Sequence, residues 1–168
     1  MGHGIAYVSA LAGCRVTLTD LRTDALEGAR TKIESLLAGG LKRNKLTEDD
    51  RAGVHERLHF EPALAAAVRH ADVVIEAVVE QMPVKQRIFA EVEREAPDGA
   101  LLATNTSSLS VGGIAAALKE PWRLLGMHFF NPVHLMTLVE IVTHGRTGAP
   151  QVERATALAR VLGKEPIL

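Results

Sequence analysis

The sequence predicts an α/β domain in which a mostly parallel sheet carries helices on both faces and a helical hairpin is inserted between strands. Three observations lead there. Short β-branched or apolar runs alternate with longer stretches of helical spacing, the pattern of βαβ units. The run from Asp72 to Val79 is nearly continuous in apolar residues, as a strand covered on both faces must be. Residues 24–58 break the alternation with two helical stretches in succession, the mark of a hairpin of helices.

The elements follow in order. The chain opens on a helix whose Ile5, Val8, Leu11 and Ala12 form an apolar face, with Gly13 suited to end it. Arg15–Thr19 is the first strand. A helix over Asp24–Ala38 is ended by Gly39 and Gly40, and a second begins after Thr47, which with Asp50 has the spacing of a capping box. The turn between them gathers Lys42, Arg43 and Lys45, and on charge alone it is a solvated turn. Further strands are expected at Asp72–Val79, Ala100–Thr104, Leu124–Phe129 and Leu138–Val142. A helix at Pro83–Ala96 puts Val84, Ile88, Val92 and the stem of Lys85 on one face. Pro166, Ile167 and Leu168 begin another strand. An open α/β sheet has a central strand before its first helix, and this domain is expected to lack it.

Composition narrows the function classes. At 168 residues the chain is the size of one domain, with 47% hydrophobic and 4% aromatic residues. Nineteen Lys and Arg against twenty Asp and Glu give a formal net charge of -1, which argues against nucleic acid as a partner because no basic excess is available to displace counterions. No apolar run approaches the ~20 residues of a membrane span, and the first residues lack the pattern of a secretory signal. Cys14 is the single cysteine, so a reducing, cytoplasmic setting is expected.

Ligands of open α/β sheets bind beyond the carboxyl ends of the strands. Those ends carry Asp20, Glu80, the run Asn105–Ser108 and the run His128–Asn131, whereas the strand bodies hold few such groups. Asp20 ends a strand that follows a helix, where a dinucleotide-binding fold places the acid that accepts the ribose hydroxyls. Its charge repels a 2′-phosphate and favours NAD over NADP, a preference that nearby Arg22 tempers. Gly2 and Gly4 at the helix start would let a pyrophosphate approach the backbone amides. A full Gly-x-Gly-x-x-Gly is absent, and taken alone these residues read as terminal glycines and a turn acid.

Glu140 interrupts the apolar run Leu138–Val142, and a carboxylate in a half-buried place is costly unless paired. The turn signal Asn131-Pro132 lets the returning chain lay Glu140 beside His128. A carboxylate on one imidazole nitrogen fixes the tautomer and leaves the other nitrogen as a general base. Spacing alone leaves a capped core histidine beside an edge-strand glutamate equally open. His3, His55, His59, His70 and His144 show no ligand spacing of a zinc site and read as surface or terminal residues, so no metal is expected. Ser107 and Ser108 lie in no Gly-x-Ser-x-Gly elbow, and Cys14 reads as packing.

The stretches Met1–Ala6, Asp72–Glu80, Asn105–Leu109, His128–Pro132 and Leu138–Ile141, in this order and spacing, resemble the Rossmann-like NAD-binding domain of 3-hydroxyacyl-CoA dehydrogenases, including the 3-hydroxybutyryl-CoA members, over essentially the whole chain. The resemblance implies oxidation of the 3-hydroxyl of a fatty acyl-CoA to a ketone, with hydride passing to NAD. It makes His128 the base, Glu140 its orienting partner and Ser107 the hydroxyl bonded to the reacting oxygen. Asp20, Glu80, Lys85 and Asn131 match NAD contacts, joined by Gly2 at the helix start and Asn105 at its strand end. Lys42 and Ser35 fall where the family's hairpin touches CoA, which gives the basic turn a partner. The family also has a first strand and a second, helical domain through which it forms homodimers. Neither has a counterpart here, so the chain alone is expected to be poorly stable or inactive. The alternatives are a catalytically silent nucleotide-binding or structural fragment of the same fold, and a dehydrogenase of a free hydroxy acid that needs no CoA contact.

Overall fold

The computed structural model describes all residues, Met1–Leu168. The chain runs α1 (Gly2–Leu11), β1 (Val16–Leu18), α2 (Thr23–Lys42), α3 (Glu48–Arg57), β2 (Leu58–Phe60), α4 (Leu64–Val68), β3 (Val73–Glu76), α5 (Met82–Glu95), β4 (Leu101–Thr104), α6 (Val111–Ala115), β5 (Leu124–Phe129), β6 (Leu138–Val142), α7 (Ala149–Val161) and β7 (Glu165–Ile167). Strands β3, β4, β5, β6 and β7 lie side by side in that order, while β1 and β2 form a separate parallel pair. Pairing is parallel throughout except between β5 and β6. The expected α/β class with a mostly parallel sheet is the one observed.

Successive residues of a strand face opposite sides of a sheet, and the two cores divide accordingly. Leu101, Ala103, Leu125, Met127, Phe129, Val139 and Ile141 point to one side, where α1, α2, α3 and α7 cover them. Leu102 and Leu124 point to the other, against Phe89 and Val92 of α5, Val68 of α4 and Ile114 of α6. Helices therefore sit on both faces. No helix is long and apolar enough to cross a membrane.

Several expectations about individual elements are corrected. Gly39 and Gly40 do not end α2, which continues to Lys42. A Cβ on Gly40 would lie 2.5 Å from Leu46 Cδ1, so the missing side chain serves the close return of the chain after the helix. The helix ends at Asn44, whose φ of 52° is left-handed. There Asn44 N–H donates to Leu41 O and Lys45 N–H to Gly40 O, the bond pair of a Schellman motif. Gly13 ends α1 in the same way, as expected, with φ of 91° and Cys14 N–H donating to Ser9 O. The capping box is present: Asp50 N–H donates to Thr47 Oγ1 and Thr47 N–H donates to the Asp50 carboxylate.

Helix α1 is buried from Gly4 to Ala10 on every side, not along one face, because α2, α3 and β1 all pack on it. The buried stripe of α5 is Lys85, Phe89 and Val92, with Val84 and Ile88 half-buried. Strand β3 ends at Glu76, short of Val79, and its valines are half-buried because it is the edge of its sheet. Strand β2 and helix α4 were not expected. The former is three residues long and the latter five, too short for a periodic pattern.

Leu102 is fully buried at the second core, so Leu102→Ala is expected to cost about 2–5 kcal/mol. Thr47→Ala, which removes only the cap, is expected to cost about 1 kcal/mol. Urea unfolding monitored by circular dichroism checks both values.

Candidate active site

Because β1, β3, β4 and β5 run parallel within their sheets, each delivers the residue after its last apolar position to a carboxyl end. Asp20 is exposed beyond β1, where its Oδ1 accepts the backbone N–H of Arg22 at 2.9 Å. The Arg22 guanidinium turns to Asp24, forming an ion pair that holds the Asp24 carboxyl below its usual value. Arg22 is thus engaged beside Asp20 and does not lie over it as a phosphate ligand. Helix α1 starts with no side-chain cap and no acid in its first turn, and the N–H groups of Gly2 and His3 have no acceptor within the chain. A Cβ on Gly4 would meet Val133 Cγ2 at 3.0 Å, so Gly4 is where the loop after β5 crosses the helix. Bare N–H groups at a helix start together with an open carboxylate beyond β1 are donors and acceptors that fit a dinucleotide.

The antiparallel pairing of β5 with β6 sets His128 opposite Glu140. Their side chains meet with His128 Nδ1 2.7 Å from Glu140 Oε2. The carboxylate assigns the ring proton to Nδ1 and leaves Nε2 as the free acceptor. The Phe130 ring packs on the imidazole with centroids 4.6 Å apart. Asn105 Oδ1 accepts the N–H of Phe129 at 2.8 Å, tying the end of β4 to the residue after His128.

Glu80 organises the next loop. Its Oε1 accepts the Thr106 hydroxyl, the N–H of Ser107 at 3.1 Å and the N–H of Ser108 at 3.4 Å. Lys85 Nζ lies 3.2 Å from its Oε2. Burial alone pushes the Glu80 carboxyl up, but the Thr106 hydroxyl and the Lys85 ammonium outweigh it and hold the group at about 2. Ser107 itself is exposed on this loop. Lys85 is only 1% exposed and donates inward, to Glu76 at 2.7 Å and to Glu80, so its side chain faces the interior and not the open cleft.

Asn131, which precedes a cis peptide bond to Pro132, lines a cavity of about 250 Å³ together with Ser35, Lys32, His3 and His134. Lys42 lies seven residues beyond Ser35 on the exposed side of α2, roughly 10 Å along the axis. The structure therefore groups Ser35 with Asn131 at one place, groups Ser107 with Glu80 at another, and leaves Lys42 at the hairpin tip.

Three residues escaped the sequence reading. His134 stands edge-on to Tyr7 with centroids 6.3 Å apart; burial, then Arg43 and Lys164, lower its pKa. Its place just after Asn131-Pro132 was the available signal. Glu76 and Thr104 are buried and bonded to each other at 2.7 Å. Among the histidines read as surface residues, His144 instead bonds Leu124 O through Nε2 at 3.1 Å, and His55 pairs with Glu34 at 2.6 Å.

A mostly parallel sheet with free amides at the first helix, an acid beyond β1 and a histidine–carboxylate pair across β5 and β6 defines a dinucleotide-binding domain of the dehydrogenase type. The family model "3-hydroxyacyl-CoA dehydrogenase, NAD binding domain" matches residues 1–168, and the chain belongs to that family. It is 41% identical to the fatty acid oxidation complex subunit alpha of Pseudomonas savastanoi, aligning over 100% of this chain and 23% of that protein. Among solved structures, the 3-hydroxybutyryl-CoA dehydrogenase of Escherichia coli superposes with a TM-score of 0.96 at 41% identity, covering 99% of this chain and 35% of that one. The (S)-3-hydroxybutyryl-CoA dehydrogenase of Ralstonia eutropha gives 0.95 at 34% identity, over 99% and 59%. The chain thus spans about a quarter of the curated relatives it matches.

The depressed Glu80 value has a defined consequence. Its stabilising share is fully present above the unfolded value of 4.5 and is lost as pH falls toward about 2. Glu80→Gln is expected to flatten the decline of the urea midpoint across that window; an unaltered profile would contradict the bonding described.

Proposed function

We infer that this chain carries the hydride-transfer half of a 3-hydroxyacyl-CoA dehydrogenase, with His128 as general base and Glu140 orienting it. The observation that carries the reading is the His128 Nδ1 to Glu140 Oε2 contact of 2.7 Å at the carboxyl end of the sheet. With Nδ1 committed to the carboxylate, Nε2 faces outward as an acceptor for the proton of a substrate hydroxyl, and Glu140 stabilises the imidazolium that results. The exposed Ser107 hydroxyl donates to the substrate oxygen as charge develops there. Bound NAD supplies the acceptor for the hydride that leaves the same carbon.

Asp20, with the Arg22 guanidinium paired to Asp24, supports NAD over NADP, because the Asp20 charge repels a 2′-phosphate. Gly2, Glu80, Asn105 and Asn131 are assigned to the cofactor side, with Lys85 acting through Glu80. Lys42 and Ser35 are assigned to CoA, whose phosphates suit the basic tip of the hairpin. The substrates are acyl-CoA esters, and the setting is fatty acid oxidation, as in the relatives named for it.

In the protein, His128→Gln is expected to lower the rate of NADH-dependent acetoacetyl-CoA reduction by about 10²–10⁴-fold while NADH affinity is kept. Glu140→Gln is expected to lower it by less. An unchanged rate in His128→Gln would sink the catalytic role and favour a silent nucleotide-binding protein. Separately, Lys42→Ala is expected to weaken inhibition by free CoA; inhibition equal to that of the wild type would point to a substrate without CoA.

A further inference from the structure

One group in the interior, the carboxylate of Glu76, is used by neither the fold's apolar packing nor the proposed chemistry. Glu76, the last residue of β3, and Lys85, in the first half of α5, have side chains only 2% and 1% exposed. The Glu76 carboxylate is fully provided with donors. Oε1 accepts the Val78 N–H and Lys85 Nζ, both at 2.7 Å, and Oε2 accepts the Thr104 hydroxyl at 2.7 Å. Such a pair gives no advantage in stability over well-packed apolar residues of the same volume, since desolvation offsets the attraction. What it does supply is direction. A lysine stem is flexible, and its ammonium forms bonds in no preferred plane. Pinned at Glu76, Nζ is held 3.2 Å from Glu80 Oε2.

Glu80 is the hub of the adjoining loop. It is 38% exposed, and its second oxygen carries Thr106, Ser107 and Ser108. Without a fixed cation on Oε2, this carboxylate would be free to rotate toward water and release those donors. The path therefore runs through bonds from β3 to α5, then to Glu80, then to the backbone of Ser107. Thr104, at the end of β4 and two residues before that loop begins, closes it back onto Glu76.

We propose that the buried Glu76–Lys85 pair is a positioning device for the Ser107 loop, fixing Glu80 so that the Ser107 hydroxyl keeps its place beside the reacting oxygen. Glu76 is enclosed and acts through Lys85 and Glu80. The proposal rests on the reading of Ser107 as a substrate donor, but its structural half, that the pair holds the loop, can be measured without substrate.

The test uses Glu76→Gln, which keeps the volume and removes the charge. Hydrogen exchange at the Ser107 and Ser108 amides is expected to accelerate by about tenfold or more, while the amides of Leu101–Thr104 keep their protection. In steady-state reduction of acetoacetyl-CoA by NADH, kcat is expected to fall at least about tenfold with KM for the ester moving less than about threefold, the split of a group that acts in the transition state. If Glu76→Gln does not fold, the double variant Glu76→Leu, Lys85→Met, which replaces the pair by apolar volume, is expected to fold and to show the same loosened loop. Wild-type exchange at Ser107 and Ser108 in either folded variant overturns the proposal, as does a loosened loop with unchanged kcat. A wild-type protein that does not turn over acetoacetyl-CoA would instead refute the dehydrogenase reading, and exchange alone would still decide whether the pair holds the loop.

Discussion

Burial of β5 is the constraint on which the site depends. It lies between β4 and β6, paired on both edges, and its residues Leu124–Met127 and Phe129 are buried. At Gly126 the neighbouring strand comes so near that an added Cβ would be 2.9 Å from Val142 Cβ. Met127 pairs with Ile141 and Phe129 with Val139, and all four belong to one core. Those apolar pairs lock the register, and the register sets His128 against Glu140. Slipping by one residue would turn Glu140 to the other face and bury it in apolar surroundings. The apolar core thereby fixes the geometry of the pair to which we assign the chemistry.

The acids of the sheet edge fall into three environments, and each environment suits a different task. Asp20 stays open to solvent, as the ribose contact proposed for it would need. Glu140, 40% exposed, is half-buried against an imidazole, where its charge is directed to a single partner. Glu76 is enclosed with a lysine and makes its contribution through geometry alone. Glu80 joins the enclosed group to the exposed Ser107 loop, accepting a cation on one oxygen and the loop on the other. In the proposed reading, recognition, catalysis and support fall to acids of increasing burial.

Much of this was legible in the residues. The apolar runs Leu124–Phe129 and Leu138–Val142 matched β5 and β6 to the residue, because both are long and flanked by clear turn signals. The partnership of His128 with Glu140 followed from the cost of an unpaired carboxylate in an apolar run. The same rule applies equally to Glu76, which stands within Asp72–Val79, but its partner, Lys85, was expected to pack only its stem on the apolar face of a helix, with its ammonium toward NAD. Gly39 and Gly40 misled in the other direction. Glycine weakens a helix by only about 1 kcal/mol, and the packing of Leu46 against Gly40 decides the matter.

By itself the sequence determined the α/β class, the bounds of β5 and β6, the helix caps at Gly13 and Thr47, and the candidates at the strand ends it placed. These depend on local periodicity and on interactions between residues a few positions apart. Tertiary structure alone decided which of those candidates meet: His128 with Glu140 across antiparallel strands, Glu80 with the Ser107 loop, Lys85 with Glu76 inside the domain, and Ser35 with Asn131 at one cavity. Such contacts join residues far apart in the chain, and their energies depend on burial, which no short stretch of sequence contains.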